Sequence, residues 1–152
     1  MSPEVQTIVV RQATVDDTAE WLRMRRLLWP DDESDASRRE MQHIIATEGS
    51  PVFVAERLDG GLGGFLEAGT RAYVDGCDTG PVGYIEGWFV EPDLRGHGVG
   101  RALVAAAEDW ARSRGLREMG SDTQLTNEGS RRAHLALGYH DHEHLVHFTK
   151  KI

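Results

Sequence analysis

The stretch from Val82 to Ala111 restricts the fold of this chain more than any other. Val82-Gly83-Tyr84-Ile85-Glu86-Gly87-Trp88-Phe89-Val90 reads as a strand, broken by Glu91-Pro92. Arg95-Gly96-His97-Gly98-Val99-Gly100 then opens a segment of helical pattern. Glycines at this place let the backbone approach a ligand, and the unpaired N–H groups at a helix start point at an anion. A strand, a glycine-rich arginine loop and a helix in this order suit a phosphate. The loop is not a dinucleotide fingerprint, because Arg101 stands where its third glycine belongs, and no Gly-Lys pair marks a nucleotide P-loop.

A chain of 152 residues suits one domain, residues 1–152, burying about 70% of its unfolded surface. Apolar content of 39% and charged content of 28% are those of an ordinary globular protein, and no apolar run is long enough for a membrane helix. Met1 to Thr7 lacks the basic and apolar regions of a signal peptide, and Cys77 is the sole cysteine, so the cytoplasm is the expected compartment. A net charge of −8, from 17 basic and 25 acidic residues, argues against nucleic acid as a partner and is compatible with a cationic substrate.

Thr7 to Arg11 reads as the first strand, and Thr14 to Asp17 has the spacing of a capping box before a helix carrying Trp21, Leu22, Met24, Leu27 and Leu28. A second helix is expected from about Ser34 to Glu48. Val52–Ala55 and Gly64–Ala68 flank Asp59-Gly60-Gly61, a hairpin signal, and Tyr73 to Pro81 reads as a loop. Val99, Leu103, Val104, Ala107, Trp110 and Ala111 recur at helical spacing, with Gly115 as the stop. Met119–Asp122 is a short strand, Asn127–Leu137 a helix and His144–Lys150 a final strand. Mixed α/β architecture follows from this order.

The glycine loop resembles the R/Q-x-x-G-x-G/A signature of the GCN5-related N-acetyltransferases (GNAT). Their second motif, N-x-x-A-x-x-x-Y-x-x-x-G-F, is matched in spacing by Asn127, Ser130, His134, Gly138 and Tyr139, three of them substituted. The resemblance implies a GNAT fold: a mixed central sheet of six to seven strands flanked by about four helices. It also implies that acetyl-CoA lies beside Trp88, Phe89 and Val90, where a backbone N–H polarises the thioester carbonyl. Its phosphates would meet the N–H groups from His97 to Ala102, including Gly98, Val99, Gly100 and Arg101, with Arg95, Gly96 and Asn127 also at the cofactor. The motif's general acid for the thiolate, usually tyrosine, falls on His134.

Glu86 is a carboxylate in an otherwise apolar strand, which is costly unless it faces a cleft or finds a partner. Even alternation would place Tyr84, Glu86 and Trp88 on one face and Ile85, Gly87 and Phe89 on the other. A glutamate facing an acceptor amine can bind it as ammonium and take its proton, directly or through water. Asp122 ends the neighbouring strand as a second carboxylate, or serves as a turn residue.

Four blocks, Arg26-Leu27-Leu28-Trp29-Pro30, Tyr73-Val74-Asp75-Gly76-Cys77-Asp78, Ile85-Glu86-Gly87 and Glu118 to Thr123, resemble the aminoglycoside 6'-N-acetyltransferases. In that branch the second-motif position is also histidine. The resemblance places Trp29 and Tyr73 as aromatic walls at the antibiotic, and Glu86, Asp122 and Glu143 as carboxylates for its ammonium groups. A homodimer is implied too. Plainer roles stand beside these: Trp29 as a core residue, Tyr73 as a loop anchor, Cys77 as structure. His140, His142 and His144 alternate, as metal ligands would, but a solvated edge with Asp141 and Glu143 explains them and no metal is expected.

The resulting expectation is an acetyl-CoA-dependent aminoglycoside 6'-N-acetyltransferase that works by direct attack in a ternary complex and confers antibiotic resistance. The alternatives are a GNAT enzyme for another polyamine or a protein amine, and a non-catalytic acyl-CoA sensor.

Overall fold

Asp59-Gly60 turns the chain back on itself, as its residues predict. In the computed structural model, which describes residues 8–152, Gly60 takes a φ of +94° that only glycine adopts without strain. Arg57 N–H donates to Gly61 O at 2.7 Å and closes the hairpin. It joins β2 (Val52–Glu56) to β3 (Leu62–Arg71). β3 pairs onward with β4 (Val82–Val90), and β1 (Val9–Gln12) flanks β2, all antiparallel. β5 (Met119–Ser121) joins β4 in parallel, so the sheet is mixed, in the order β1-β2-β3-β4-β5. Thr7, expected to open the first strand, lies outside the described residues, as does the rest of Met1 to Thr7.

Three helices cover this sheet: α1 (Thr18–Leu28), α2 (Ser34–Ala46) and α3 (Val99–Ser113). Asp17 closes the turn before α1 by accepting the Thr14 N–H at 2.8 Å, and Arg11 grips both its carboxylate oxygens at 2.8 and 2.9 Å. Two adjacent residues of β3 show how the layers divide. Phe65 is fully buried with Trp21, Met24 and Met41 of α1 and α2, whereas a Cβ on Gly64 would lie 3.2 Å from Leu103 of α3. Neighbouring residues of a strand point to opposite faces, so α1 and α2 cover one side and α3 the other. The buried stripe of α3 is Val99, Leu103, Val104, Ala107 and Ala111, at the spacing read from the sequence.

These elements form the first of two compact units, which ends at Ser121; the second runs from Asp122 to Ile152. The second contains α4 (Glu128–Ala136), capped by Asn127 Oδ1, which accepts the Ser130 N–H at 3.0 Å. The strand expected over His144–Lys150 is not formed among the described residues, so the sheet has five strands and not six to seven. Alternating apolar residues make a strand only where a neighbour takes up the backbone N–H and C=O groups. Here Leu145, Val146 and Phe148 are exposed instead.

A buried ion pair joins the helical layer to the sheet. Arg25 of α1 is 2% exposed, and its Nε lies 3.0 Å from Glu67 Oε2 of β3, a close charge contact without hydrogen-bond alignment. Arg25 Nη1 donates to the carbonyl and hydroxyl oxygens of Ser37 in α2, at 3.2 and 3.1 Å. Trp21 Nε1 donates to Glu67 at 3.1 Å. Burial pushes the Glu67 carboxyl up from 4.5 to about 7, against the pull of Arg25 and the Trp21 hydrogen bond. The folded protein therefore holds this proton where the unfolded chain has lost it, so the group's stabilisation is complete below pH 4.5 and fades as the pH rises to about 7. Between pH 5 and 7.5, urea unfolding should show the natural protein losing stability relative to Glu67→Gln; parallel pH profiles would contradict this. Arg25→Leu, which strands the carboxylate, should cost about 3 kcal/mol at pH 7.5 by the same assay.

Candidate active site

β4 does not alternate evenly. Ala68 pairs with Ile85 and Glu67 with Gly87, which leaves Glu86 as the extra residue of a β-bulge. The consequence is read from two glycines. A Cβ on Gly83 would strike Met119 and come within 3.3 Å of Ala111 on the α3 side, but a Cβ on Gly87 would lie 2.5 Å from the Trp29 ring at the end of α1. Residues four apart in a regular strand share a face; these two do not. The expected face shared by Tyr84, Glu86 and Trp88 is therefore corrected. Trp88 lies on the α3 side, its ring 3.1 Å from where a Gly100 Cβ would stand, and Tyr84 falls on the opposite side.

Beyond the bulge, β4 also loses one neighbour. β5 pairs with it only at Gly83, Tyr84 and Ile85. Glu91 N–H donates to Gly63 O at 2.8 Å, toward the β3 side, so by alternation the amides of Phe89 and Gly87 turn that way. The amides of Trp88 and Val90 turn to the edge that β5 has left. Val90 O on that edge accepts Arg95 Nε at 2.9 Å. Of the three residues expected at the thioester, Phe89 is a core residue, 8% exposed and tilted against Phe65 at 6.1 Å between centroids.

The glycine loop leads from this edge into α3. Gly96 and Gly98 adopt φ of +78° and +84°, and Gly98 is the N-cap with no side chain to satisfy the helix start. Val99, Gly100 and Arg101 sit in the first turn, where no carbonyl of the helix reaches their N–H groups. The expected run to Ala102 is one residue too long, since Ala102 N–H already donates to Gly98 O at 3.0 Å. Gly100 serves a different purpose from the other two: it lets the helix lie against Trp88. Arg95, His97 and Arg101 are exposed around the loop.

On the other side of β4, Trp29 closes α1 and stands edge-on to Phe65 at 6.2 Å, with the Arg25 guanidinium 4.9 Å from its ring centre. Glu86 is held by Arg71, the last residue of β3, whose Nη2 and Nε lie 2.9 and 3.2 Å from its two oxygens. Tyr73 is exposed on the loop after β3, and its hydroxyl donates to Asp75 in a short bond that raises the phenol. Glu118 clamps this loop by accepting Asp78 N–H at 2.8 Å, Thr79 N–H at 2.7 Å and the Thr79 hydroxyl at 2.6 Å. Burial, then Glu118, push the Cys77 thiol up, which suits a structural residue. Sequence reasoning missed Arg71, Arg25 and Glu118 as parts of this site. Their partners are distant in sequence, and only strand register reveals them.

Asp122, Asn127, His134 and Glu143 belong to the second unit. Asp122 directly follows β5 in the chain and is exposed. Asn127 uses its side-chain oxygen for the α4 cap. His134 Nδ1 lies 2.7 Å from Ser130 O, which fixes the tautomer: Nδ1 carries the proton and Nε2 the lone pair in the neutral ring. Tyr139 meets that ring edge-on at 5.8 Å. Glu143 is exposed, and His144 pairs with Asp141 at 3.3 Å. Among the described residues no group of three or more His, Cys, Asp or Glu is placed to hold a metal, and no helix is long and apolar enough to cross a membrane.

The strand, the Arg-Gly loop and the helix start are those of an acetyltransferase: the chain belongs to the acetyltransferase (GNAT) family, whose model matches residues 19–139. Among curated proteins it is similar to aminoglycoside N(6')-acetyltransferase type 1 of Stenotrophomonas maltophilia, 41% identical over 91% of this chain and 90% of that protein. The enzyme of the same name from Klebsiella aerogenes is 44% identical over 86% and 88%. Among solved structures, AAC(6')-Iy in complex with CoA covers 100% of both chains at 35% identity, with a TM-score of 0.93. AAC(6')-Iy with the bisubstrate analogue CoA-S-monomethyl-acetylneamine matches 95% of this chain and 99% of that chain, at 36% identity and a TM-score of 0.90.

Gly87→Ala should push Trp29 off β4, since the new methyl would lie 2.5 Å from its ring. The expected loss is about 1–3 kcal/mol in urea unfolding, with a shifted indole resonance for Trp29. An unmoved resonance and full stability would show that the ring is not seated there.

Proposed function

We propose that this chain transfers the acetyl group of acetyl-CoA to the 6'-amine of an aminoglycoside, by direct attack in a ternary complex. The observation that carries this reading is Glu86, lifted out of the ladder by a bulge, one residue from the glycine on which Trp29 rests and two from the first amide of the open edge. The names of the relatives support the substrate class.

In this reading acetyl-CoA lies along the open edge of β4, its pyrophosphate at the first turn of α3. The positive end of the helix and the N–H groups of Val99, Gly100 and Arg101 meet the anion, with Arg95, Gly96, His97 and Gly98 shaping the loop. The Trp88 or Val90 N–H, turned outward, donates to the thioester oxygen as it becomes an oxyanion. Glu86 binds the acceptor as ammonium and accepts its proton, directly or through water, so that the amine nitrogen attacks the carbonyl carbon. The carbon–sulfur bond then breaks and the thiolate takes a proton. With Nδ1 committed to Ser130, His134 can supply that proton only as imidazolium, from Nε2. Trp29 and Tyr73 form aromatic walls for the amino-sugar rings, and Asp122 and Glu143 supply further carboxylates for a polycation. Asn127 acts at the cofactor through the α4 cap it makes.

We further infer a single-domain cytoplasmic protein that works as a homodimer in antibiotic resistance. Exposure of Leu145, Val146 and Phe148 supports the dimer, because such apolar surface favours a partner. Light scattering on the purified protein should give twice the chain mass.

Glu86→Gln should lower kcat/KM for the antibiotic by about 100-fold and leave acetyl-CoA affinity nearly unchanged. Gly98→Ala, strained at φ +84°, should do the reverse and weaken acetyl-CoA by calorimetry. The decisive assay is thiol release from acetyl-CoA with kanamycin A and with an analogue bearing a 6'-hydroxyl. Turnover with the amine alone establishes substrate class and regiochemistry; turnover with spermidine or a peptide amine and with neither antibiotic refutes the aminoglycoside reading.

A further inference from the structure

The carboxylate offered to the substrate already has a cation on it. Arg71 lies side-on to Glu86, Nη2 to Oε2 at 2.9 Å and Nε to Oε1 at 3.2 Å. Its Cζ stands 3.5 Å from the ring centre of Tyr84, which is 5% exposed and therefore fixed. The register explains the meeting: Arg71 pairs with Val82 at the end of β3, and the bulge leaves Glu86 outside the ladder. A guanidinium so placed supplies the charge that an ammonium would supply and takes the lone pairs it would use.

We infer that Arg71 is a built-in counter-ion for Glu86, displaced by an ammonium group of the substrate, and that it thereby sets affinity for the antibiotic. The inference rests on the proposed role of Glu86 as the ammonium-binding carboxylate. The pair is suited to exchange because both side chains are about half exposed, at 45% and 41%. An exposed pair holds with little free energy, in contrast to the buried Arg25–Glu67 pair of the neighbouring core. The Tyr84 face gives the guanidinium a place to stay once the carboxylate has changed partner. Arg71 is then a specificity-determining residue that weakens binding in return for a carboxylate that is shielded while the site is empty.

The direction of the effect is opposite to that of an orienting residue, which makes the test decisive. Calorimetry would measure kanamycin A binding to the CoA-saturated protein for the natural chain, Arg71→Gln, Glu86→Gln and the double variant. Arg71→Gln should tighten binding by roughly 2–5-fold at low salt, the range expected for an exposed pair. Acetyl-CoA affinity and the thermal midpoint should stay nearly unchanged. The gain should vanish in the Glu86→Gln background, because there is then no carboxylate to release. A gain that persists in that background would reduce Arg71 to general repulsion of a polycation and overturn the exchange. Unchanged or weaker binding in Arg71→Gln would overturn it also, by making Arg71 neutral or a positioning residue. Natural affinity in Glu86→Gln alone would instead sink the underlying role of Glu86, an outcome distinct from failure of the exchange.

Discussion

Because Glu86 has no partner across β3, the side chains of β4 change faces at its midpoint. Before the bulge, Gly83 looks toward α3; after it, Gly87 looks toward α1 and Trp88 toward α3. The same shift turns the amides of Trp88 and Val90 outward, just where β5 stops pairing. One residue outside the ladder thus places a carboxylate, an aromatic seat and the outward-turned amides of Trp88 and Val90 within a few residues of each other. A regular strand would spread these features over the wrong faces.

Two ion pairs with opposite character flank this strand. Arg25 and Glu67 are buried together, and the guanidinium also reaches Ser37 and stacks on Trp29. Such a pair is costly to desolvate, and the raised carboxyl of Glu67 shows that burial outweighs the attraction of its partner. What it secures is geometry: α1, α2 and β3 are tied at one point, directly beneath the tryptophan that meets Gly87. Arg71 and Glu86, by contrast, are about half exposed, where an ion pair holds with little free energy. The first pair suits a fixed wall, the second a replaceable contact.

Phosphate recognition, as proposed, depends on backbone more than on charge. The chain is acidic, with a net charge of −8, yet the first turn of α3 presents its N–H groups behind two glycines of positive φ. Gly98 as N-cap leaves that turn without a side chain of its own to satisfy it, and Gly100 brings the helix against Trp88. An anion can be held there while the carboxylates elsewhere stay available for a cation.

The sequence alone determined the local devices, because each is written in neighbouring residues. The hairpin at Asp59-Gly60, the apolar stripe of α3 and the glycine loop follow from turn chemistry and from periods of two and 3.6. Their order was enough for the family resemblance. Tertiary structure decided whatever depends on register. The bulge at Glu86 rests on how β3 pairs with β4, and a strand's residues read the same with or without it. Arg71, Arg25 and Glu118 meet partners 12 to 42 positions away, so no local pattern marks them. For the same reason His144–Lys150 carries a strand's alternation and is not a strand here: a strand is defined by its neighbour's hydrogen bonds, and these lie outside its own sequence.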